Sequence, residues 1–470
     1  MVFSSPLFLF GFLPLFLLLY WLMPARWANP VALVASLAFY AWGEPVFVTI
    51  AIGSALLDLL VVRTLAASTG QRTRRALVAV GVVANLGVLA YFKYAGFAVA
   101  SVRPLFADWL GVGLPPFAAV ALPIGVSFII FEKITYVVDV YRGVSEPTRR
   151  IRDYLLYVFL FPKLLAGPII KYHDIAGQLA LRPRRIDDLA DGLCRFATGL
   201  AMKVLIADPM GELADKAFAP GEPIGFGLAW LGAVGFSLQI FFDFAGYSSM
   251  AIGLARTMGF RLMENFDRPY LAIGFADFWK RWHISLSTWV RDYLFIPLGG
   301  SRVAAPRLHL NLWICFLASG LWHGAAWVFV AWGAYHGLFI TLDRLFLKRL
   351  LDRLPRAVGI GFTFLAVTVG WVLFRSPDFG AAIAYLAVMA DPGAVSERFT
   401  VITADLYAVM ALGLAICFMP ALPPLERLRR SFLAQPRWPT LAMAGACCLL
   451  LLSLGKATAV AFHPFLYFRF

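Results

Sequence analysis

Charge is scarce in this sequence: 14% of its 470 residues are Asp, Glu, Lys or Arg, while 61% are apolar. Soluble domains carry roughly a quarter charged residues, so the polar surfaces of two or three such domains cannot be covered from this stock. Cysteine is sparse as well. Cys194, Cys315, Cys417, Cys447 and Cys448 lie in mostly apolar runs, without the spacing of a metal site or a disulfide framework. Nucleophile-elbow, P-loop and dinucleotide fingerprints are missing, which leaves serine hydrolysis and phosphate-cradle chemistry without support. No histidine pair matches HExxH and no Cys-rich cluster stands near one, so no metal site is expected. Internal repeats are absent too, which counts against an inverted-repeat transporter.

Long apolar runs are what the chain has instead. A hydrocarbon crossing takes about 20 apolar residues, and no lipid-exposed loop can make it. Such runs fall at Leu7–Leu22, Val31–Trp42, Val46–Val62, Ala76–Tyr91, Phe117–Val140, Tyr154–Ile170 and Leu189–Ile206. Others are Gly225–Leu254, Leu308–Leu321, Ala325–Leu342, Val358–Phe374, Leu406–Phe418 and Leu441–Leu454. Several are short or carry Gly and Pro, and are expected to be tilted, broken or re-entrant. The expected fold is an all-α polytopic membrane protein with roughly 10 to 13 transmembrane or re-entrant helices. It reads as one integral-membrane domain over residues 1–470, with N-terminal helices in 1–140, a core in 141–345 and C-terminal helices in 346–470. Met1–Tyr20 has no basic leader and runs straight into an apolar segment, the pattern of a retained first span.

The net charge of +14 comes from 41 Lys and Arg against 27 Asp and Glu. Basic residues punctuate the apolar runs as the positive-inside rule describes, and no nucleic-acid-binding motif accompanies them. The loops Arg63–Arg75, Arg142–Arg152, Arg182–Arg185, Arg344–Arg356 and Arg427–Arg437 are assigned to the cytoplasmic side, which puts both chain ends outside. Phe278–Leu298 is neither loop nor span. Trp279, Trp282, Leu286, Trp289, Tyr293 and Ile296 recur there at helical spacing beside Lys280, Arg281 and Arg291. This is the pattern of an interfacial amphipathic helix, with tryptophans at headgroup depth.

Polar groups inside apolar runs are costly, and so are the candidates for chemistry. His323 stands in Leu321-Trp322-His323-Gly324-Ala325, with no charged residue between His309 and Asp343. Imidazole accepts a proton near neutral pH, and Gly320 and Gly324 would let a substrate or another helix approach the backbone. A histidine hydrogen-bonded inside a bundle gives the same pattern. His283 and His336 read more readily as interfacial and packing histidines, and His173, His309 and His463, near loops or ends, are assigned no chemistry. Asp243, Glu132 and Asp139 are carboxylates that must pair, accept hydrogen bonds or stay protonated. Asp243 is placed to orient a histidine or hold Tyr247, and Glu264-Asn265 marks a polar helix end.

Taken in order, these residues resemble the membrane-bound O-acyltransferases, and within them the bacterial alginate O-acetylase branch. The resemblance rests on Arg281-Trp282-His283-Ile284-Ser285-Leu286-Ser287-Thr288-Trp289, Gly299-Gly300-Ser301-Arg302 and Leu321-Trp322-His323-Gly324. It extends through Tyr91-Phe92-Lys93-Tyr94, Leu122-Pro123-Ile124-Gly125, Ala166-Gly167-Pro168, Asp243-Phe244-Ala245-Gly246-Tyr247-Ser248, Trp332-Gly333-Ala334-Tyr335-His336-Gly337 and Pro464-Phe465-Leu466-Tyr467-Phe468. It implies a helical core around a central funnel or tunnel, His323 as the catalytic histidine and His283 as the second family histidine. Glu264, Asn265, Asp243, Arg281, Trp322 and His336 are the substrate-binding residues expected beside them. The implied reaction moves an acetyl group from a cytoplasmic donor, acetyl-CoA, to a secreted polysaccharide such as alginate, with no bound cofactor. A periplasmic acetyltransferase partner and the lipid bilayer of the bacterial inner membrane complete the implied setting. Cellulose or peptidoglycan suits the same machinery. A transporter using His323, His336 and Asp243, or a non-catalytic export scaffold, is the rival reading from another class. The chain departs from the branch at Ala245 and Ser249, where serine and aspartate are common, and at Asp267-Arg268, where Asn-Gln is common. No role for that second acid carries over.

Overall fold

The computed structural model describes residues 1–110, 120–219, 224–395, 402–459 and 464–466. Phe117–Ala119, His463 and the ending 467–470 lie outside the described residues. Among those described, all regular structure is helical. The chain divides into two compact units, Met1–Ala190 with Leu254–Met263, and Asp191–Gly253 with Glu264–Phe470. The first contains α1 (Leu13–Leu22), α2 (Ala28–Gly43), α3 (Phe47–Ala67), α4 (Gln71–Leu89), α5 (Ala95–Leu110), α6 (Val126–Arg142), α7 (Ile151–Phe159), α8 (Phe161–Leu164), α9 (Tyr172–Ala180) and the start of α10 (Ile186–Ala201). The second takes the rest of α10, then α11 (Asp208–Ala217), most of α12 (Phe226–Thr257), α13 (Phe275–Arg281), α14 (Ile284–Val290), α15 (Ala305–His323) and α16 (Trp327–Leu342). It closes with α17 (Lys348–Leu351), α18 (Arg356–Arg375), α19 (Phe379–Ala390), α20 (Ala404–Phe418), α21 (Pro423–Leu433) and α22 (Trp438–Ala459).

Among the described residues, six helical stretches are long and apolar enough to cross a membrane: Phe47–Ala67, Gln71–Phe106, Phe226–Thr257, Arg356–Arg375, Ala404–Ala421 and Trp438–Ala459. Other expected spans are shorter or interrupted, for local reasons. Leu7–Leu22 begins with a π-helical stretch ending at Phe12. Tyr154–Ile170 breaks at Leu160, whose φ and ψ of −50° and 105° leave the helical region just before Pro162. Leu308–Leu321 and Ala325–Leu342 become the two arms of a hairpin, α15 and α16.

In the first unit, burial forces polar groups to find partners. Glu132 pairs with Lys163 and accepts a hydrogen bond from the Ile170 N–H at 3.2 Å. Lys133 lies 3.3 Å from Asp58, which also accepts from Asn85 at 2.7 Å and from Tyr154 at 2.9 Å. Asp139 meets His173 Nδ1 at 2.7 Å. Glu132 and Asp139, two of the acids singled out in the sequence, are thus engaged in this unit's own packing.

Backbone-to-backbone contact organises the second unit. A Cβ added at Gly199 would lie 2.5 Å from the Gly246 carbonyl oxygen, and one at Gly246 would lie 2.7 Å from that of Gly199. Small residues permit such crossings in membrane bundles, and this one brings α10 against α12. The α15–α16 hairpin is tighter still. A Cβ at Gly320 would collide with the Phe329 carbonyl, and one at Gly333 with the Phe316 carbonyl. The turn between the arms begins at Gly324, whose extended φ and ψ of −158° and 147° end α15 at His323.

Gly333→Val should therefore destabilise the folded protein by about 1–3 kcal/mol through overpacking. Gly361→Ala, on α18 with nothing within 4 Å of its added Cβ, should stay within about 1 kcal/mol of wild type. Thermal unfolding of the purified proteins in detergent checks both. A Gly333→Val midpoint equal to wild type would mean that the helices do not approach this closely.

Candidate active site

His323 is the last residue of α15 and is buried. Its ring stands edge-on to Trp332 of α16, centroids 4.9 Å apart, and edge-on to Phe374 of α18 at 5.3 Å. The glycine contacts of the hairpin hold this arrangement, because they bring the first turns of α16 up beside the end of α15.

His283 is placed by loops. It precedes α14 with φ 45°, and Arg268, at φ 47°, is the other non-glycine residue in the left-handed region among those described. L-residues reach that region at a cost of roughly 1–2 kcal/mol. Two backbone bonds clamp the loops together: the Asp267 N–H donates to the Arg281 carbonyl and the Ile284 N–H to the Asn265 carbonyl, both at 2.9 Å. Asp343 helps from the far side, where its Oδ2 accepts from the Ala276 N–H at 2.8 Å in the first turn of α13.

Asn265 makes the chemistry of His283 definite. Its side-chain oxygen faces the Ser285 N–H at 3.1 Å, the Ser285 hydroxyl at 2.8 Å and His283 Nδ1 at 3.2 Å. Its amide nitrogen donates to Ser248 Oγ at 3.0 Å. A backbone N–H only donates, so the atom facing Ser285 is the oxygen, and the ring nitrogen facing that oxygen must carry the proton. His283 is the Nδ1–H tautomer, with its lone pair on Nε2. Burial, outside any membrane-spanning segment, pushes the His283 imidazole down to about 3, so the ring is neutral at physiological pH.

The three expected histidines are joined through two tryptophans. Trp322 has its ring 5.9 Å from that of His283 and 5.0 Å from that of His323. Trp332 continues the series, 4.9 Å from His323 and 4.6 Å from His336. His336 is fully buried and its Nδ1 accepts from Trp279 Nε1 at 3.2 Å, so its position is one of packing and hydrogen bonding. On the other side, Phe244 stands edge-on to His283 at 4.6 Å.

The remaining expected site residues lie around this row. Asp243, buried on α12, is 2.9 Å from Lys203 Nζ through Oδ1 and accepts from the Leu466 N–H at 2.7 Å through Oδ2. Glu264 is exposed and forms a two-bond pair with Arg195 at 2.7 and 2.5 Å. Arg281 is tied to Asp277 at 2.9 Å and to Asp267 at 3.9 Å. Sequence reasoning did not single out Lys203, Ser248, Ser285, Trp332 or Phe374. The lysine was detectable: it interrupts an apolar run as Asp243 does.

Two cavities flank the row. One of about 610 Å³ is lined in part by Phe241, Ser248, Glu264, Asn265, Arg268 and Ile416. The other, about 170 Å³, is lined by Trp279, Ser287, Arg291, Cys315, Phe316 and Ser319, and Ser319 is one helical turn before His323 on α15. Among the described residues, no three His, Cys, Asp or Glu side chains converge as metal ligands.

His323 at the turn of a glycine-packed hairpin, with His283 and His336 in the same aromatic row, makes a candidate site in a helical membrane protein. A sequence model of the membrane-bound O-acyltransferase family matches residues 149–374, a stretch holding all three histidines. The chain is 43% identical to a probable alginate O-acetylase of Azotobacter vinelandii over 84% of this chain and 79% of that protein. It is 41% identical to a probable alginate O-acetylase of Pseudomonas putida over the full length of both. A peptidoglycan O-acetyltransferase of Helicobacter pylori is 31% identical over 84% of this chain and 81% of its own length. The chain belongs to the membrane-bound O-acyltransferase family, and it is an O-acyltransferase.

Two outcomes test the His283 geometry. Asn265→Ala removes the acceptor that fixes the tautomer and should lower the acyl-transfer rate about 100-fold, with a smaller loss for Asn265→Asp, as steady-state kinetics would record. The second concerns pH. Between about 3, the His283 value when folded, and about 6.5, the unfolded chain binds a proton that the folded chain refuses. Stability therefore rises with pH across that window, by on the order of 1 kcal/mol per unit from this group. The pH dependence of the unfolding midpoint should be shallower in His283→Gln than in wild type.

Proposed function

We propose that this chain O-acetylates a secreted polysaccharide, alginate, with an acetyl group drawn from acetyl-CoA on the cytoplasmic side of a bacterial inner membrane. The observation that carries the reading is the buried pair His323 and His283, linked through Trp322, with His283 held by Asn265 in one tautomer.

A thioester is already electrophilic, so catalysis consists largely of positioning and deprotonating an alcohol. His323 takes the hydroxyl proton as the oxygen attacks the thioester carbonyl carbon. The C–O bond forms, the C–S bond breaks, and the imidazolium returns its proton to the departing thiolate. His283 offers Nε2 to the reacting groups, and its neutral ring leaves them without a competing charge. The small cavity, lined by Arg291 and Ser319 among others, suits a narrow, flexible donor arm, and its Ser319 wall is one helical turn before His323 on α15. The acceptor hydroxyl arrives from the periplasmic face of the membrane, on the polysaccharide or on a periplasmic acetyltransferase partner that relays the group.

Alginate is favoured among acceptors by the alginate O-acetylases at 41 and 43% identity, against 31% for the peptidoglycan O-acetyltransferase. Peptidoglycan is the second reading, on the strength of that Helicobacter relative.

Complementation decides both questions. Expression in an alginate producer that lacks its own O-acetylase should restore the O-acetyl ester content of the polymer, and His323→Ala should lower it at least 100-fold at equal membrane abundance. Full ester content with His323→Ala would overturn the catalytic assignment. Acetylated peptidoglycan with unmodified alginate would replace the acceptor.

A further inference from the structure

We infer that the second unit binds one anionic phospholipid of the surrounding bilayer, with an acyl chain in the larger cavity and the phosphate beside Arg268 and Arg195. The inference concerns binding alone and stands apart from the acetyl-transfer reading.

The cavity measures about 610 Å³, within the range of small-molecule sites, and its walls are mostly apolar, with Leu205, Phe242, Leu412 and Ile416 among them. Two of the helices that contribute to it, α20 and α22, are among the least enclosed of the candidate spans. Only 22% and 11% of their apolar windows are buried inside the protein. The outer faces of these helices stand in hydrocarbon, so what reaches an open cavity between them is an acyl chain and not water. An apolar cavity beside lipid stays filled because leaving it to water forfeits apolar burial, and leaving it empty forfeits dispersion contacts.

One end of the cavity is polar and carries excess positive charge. Arg195 and Arg268 line it, with Glu264. Arg195 pairs with Glu264, and Arg268 lies 3.8 Å from Glu426, which also holds Arg429 at 2.8 Å and Arg430 at 3.1 Å. Four guanidinium groups thus meet two carboxylates. α21, which carries Glu426 and those two arginines, also exposes Leu425, Leu428 and Phe432. That combination of exposed leucines and arginines marks a helix lying in the headgroup layer, which sets the depth at which a phosphate would meet Arg268. Arginine is well matched to phosphate oxygens. Arg268 is moreover fixed in a left-handed backbone conformation, so its loop is not free to withdraw from the cavity without breaking the clamp at Asp267 and Arg281. A neutral or cationic lipid has no use for this charge. An anionic one does.

Asn265 gives the site a neighbour of consequence. It lines this cavity and also bonds His283.

Native mass spectrometry of the full chain, exchanged into detergent and titrated with phosphatidylglycerol or phosphatidylcholine, tests the inference. Wild type should retain one phosphatidylglycerol per chain at concentrations where phosphatidylcholine is lost. Ile416→Trp and Leu412→Trp, which fill the cavity from its lipid side, should each lower retention at least tenfold while remaining monodisperse. Arg268→Gln should erase the preference for phosphatidylglycerol. Wild type that keeps neither lipid, or tryptophan variants that keep phosphatidylglycerol as well as wild type does, would overturn the site. Equal retention of the two lipids by wild type would overturn the anionic assignment.

Discussion

The side-chain oxygen of Asn265 is the point on which the site turns. Three donors converge on it, from the Ser285 backbone, the Ser285 hydroxyl and His283 Nδ1. In a buried setting each of those donors would be costly if left alone, on the order of 1–3 kcal/mol apiece. One acceptor satisfies all three and in doing so fixes the tautomer of the histidine, the start of α14 and the spacing of two loops. The amide nitrogen of the same side chain reaches α12 through Ser248. A helix, a loop and a catalytic candidate are therefore registered by one polar group.

The hairpin supplies the other half by opposite means. His323 is set between helices, at the end of α15. Glycines let α15 and α16 approach until backbone meets backbone, and aromatic rings fill what is left. Packing of this kind is rigid because interiors are close-packed and every methylene is felt. Hydrogen bonds to Asn265 fix His283, close glycine packing sets the helix end that carries His323, and Trp322 lies between the two rings. A change that loosens one need not loosen the other.

The class of fold was readable from composition, because a chain this poor in charge cannot coat soluble domains. The reading of Phe278–Leu298 as one interfacial amphipathic helix does not hold: the chain leaves the helical region at Trp282 and His283, between α13 and α14, and Trp279 and Trp282 are buried with His283 fully enclosed. Periodicity reports which residues share a face, and cannot report that the face is covered by Phe244, Trp322 and Trp371. His323 was visible as a polar group in a long apolar run. Asn265 was visible only as a polar break, since its value comes from partners 17 to 20 residues away in sequence. Glu264, its neighbour, looked equivalent on paper. Neither ends a helix: both lie in the loop after α12, whose course turns Glu264 outward to Arg195 and Asn265 inward. Lys203 went unread because a cation in an apolar run suggests a loop until the acid that meets it is known.

That lysine raises the question of why a charge cluster is kept in so apolar a unit. Lys203 lies 2.7 Å from Asp208 and 2.9 Å from Asp243, and the latter also accepts from the Leu466 N–H. Buried ion pairs rarely add net stability over apolar residues of the same shape, since desolvation offsets most of the attraction. Their directional value is clearer. Lys203 sits in a π-helical stretch, Met202–Ala207, directly after the Gly199–Gly246 crossing. Such bulges commonly mark places where a helix is re-aimed. Close glycine contact brings α10 and α12 together but leaves them free to rotate about their axes. An ion pair one turn further on removes that freedom. With α12 fixed in rotation, Phe244, the residue after Asp243, presents its ring to His283, and Ser248, one turn later, meets Asn265. The charge is thus spent on register: it decides which face of α12 the histidine sees, a choice that apolar side chains of similar size would leave open.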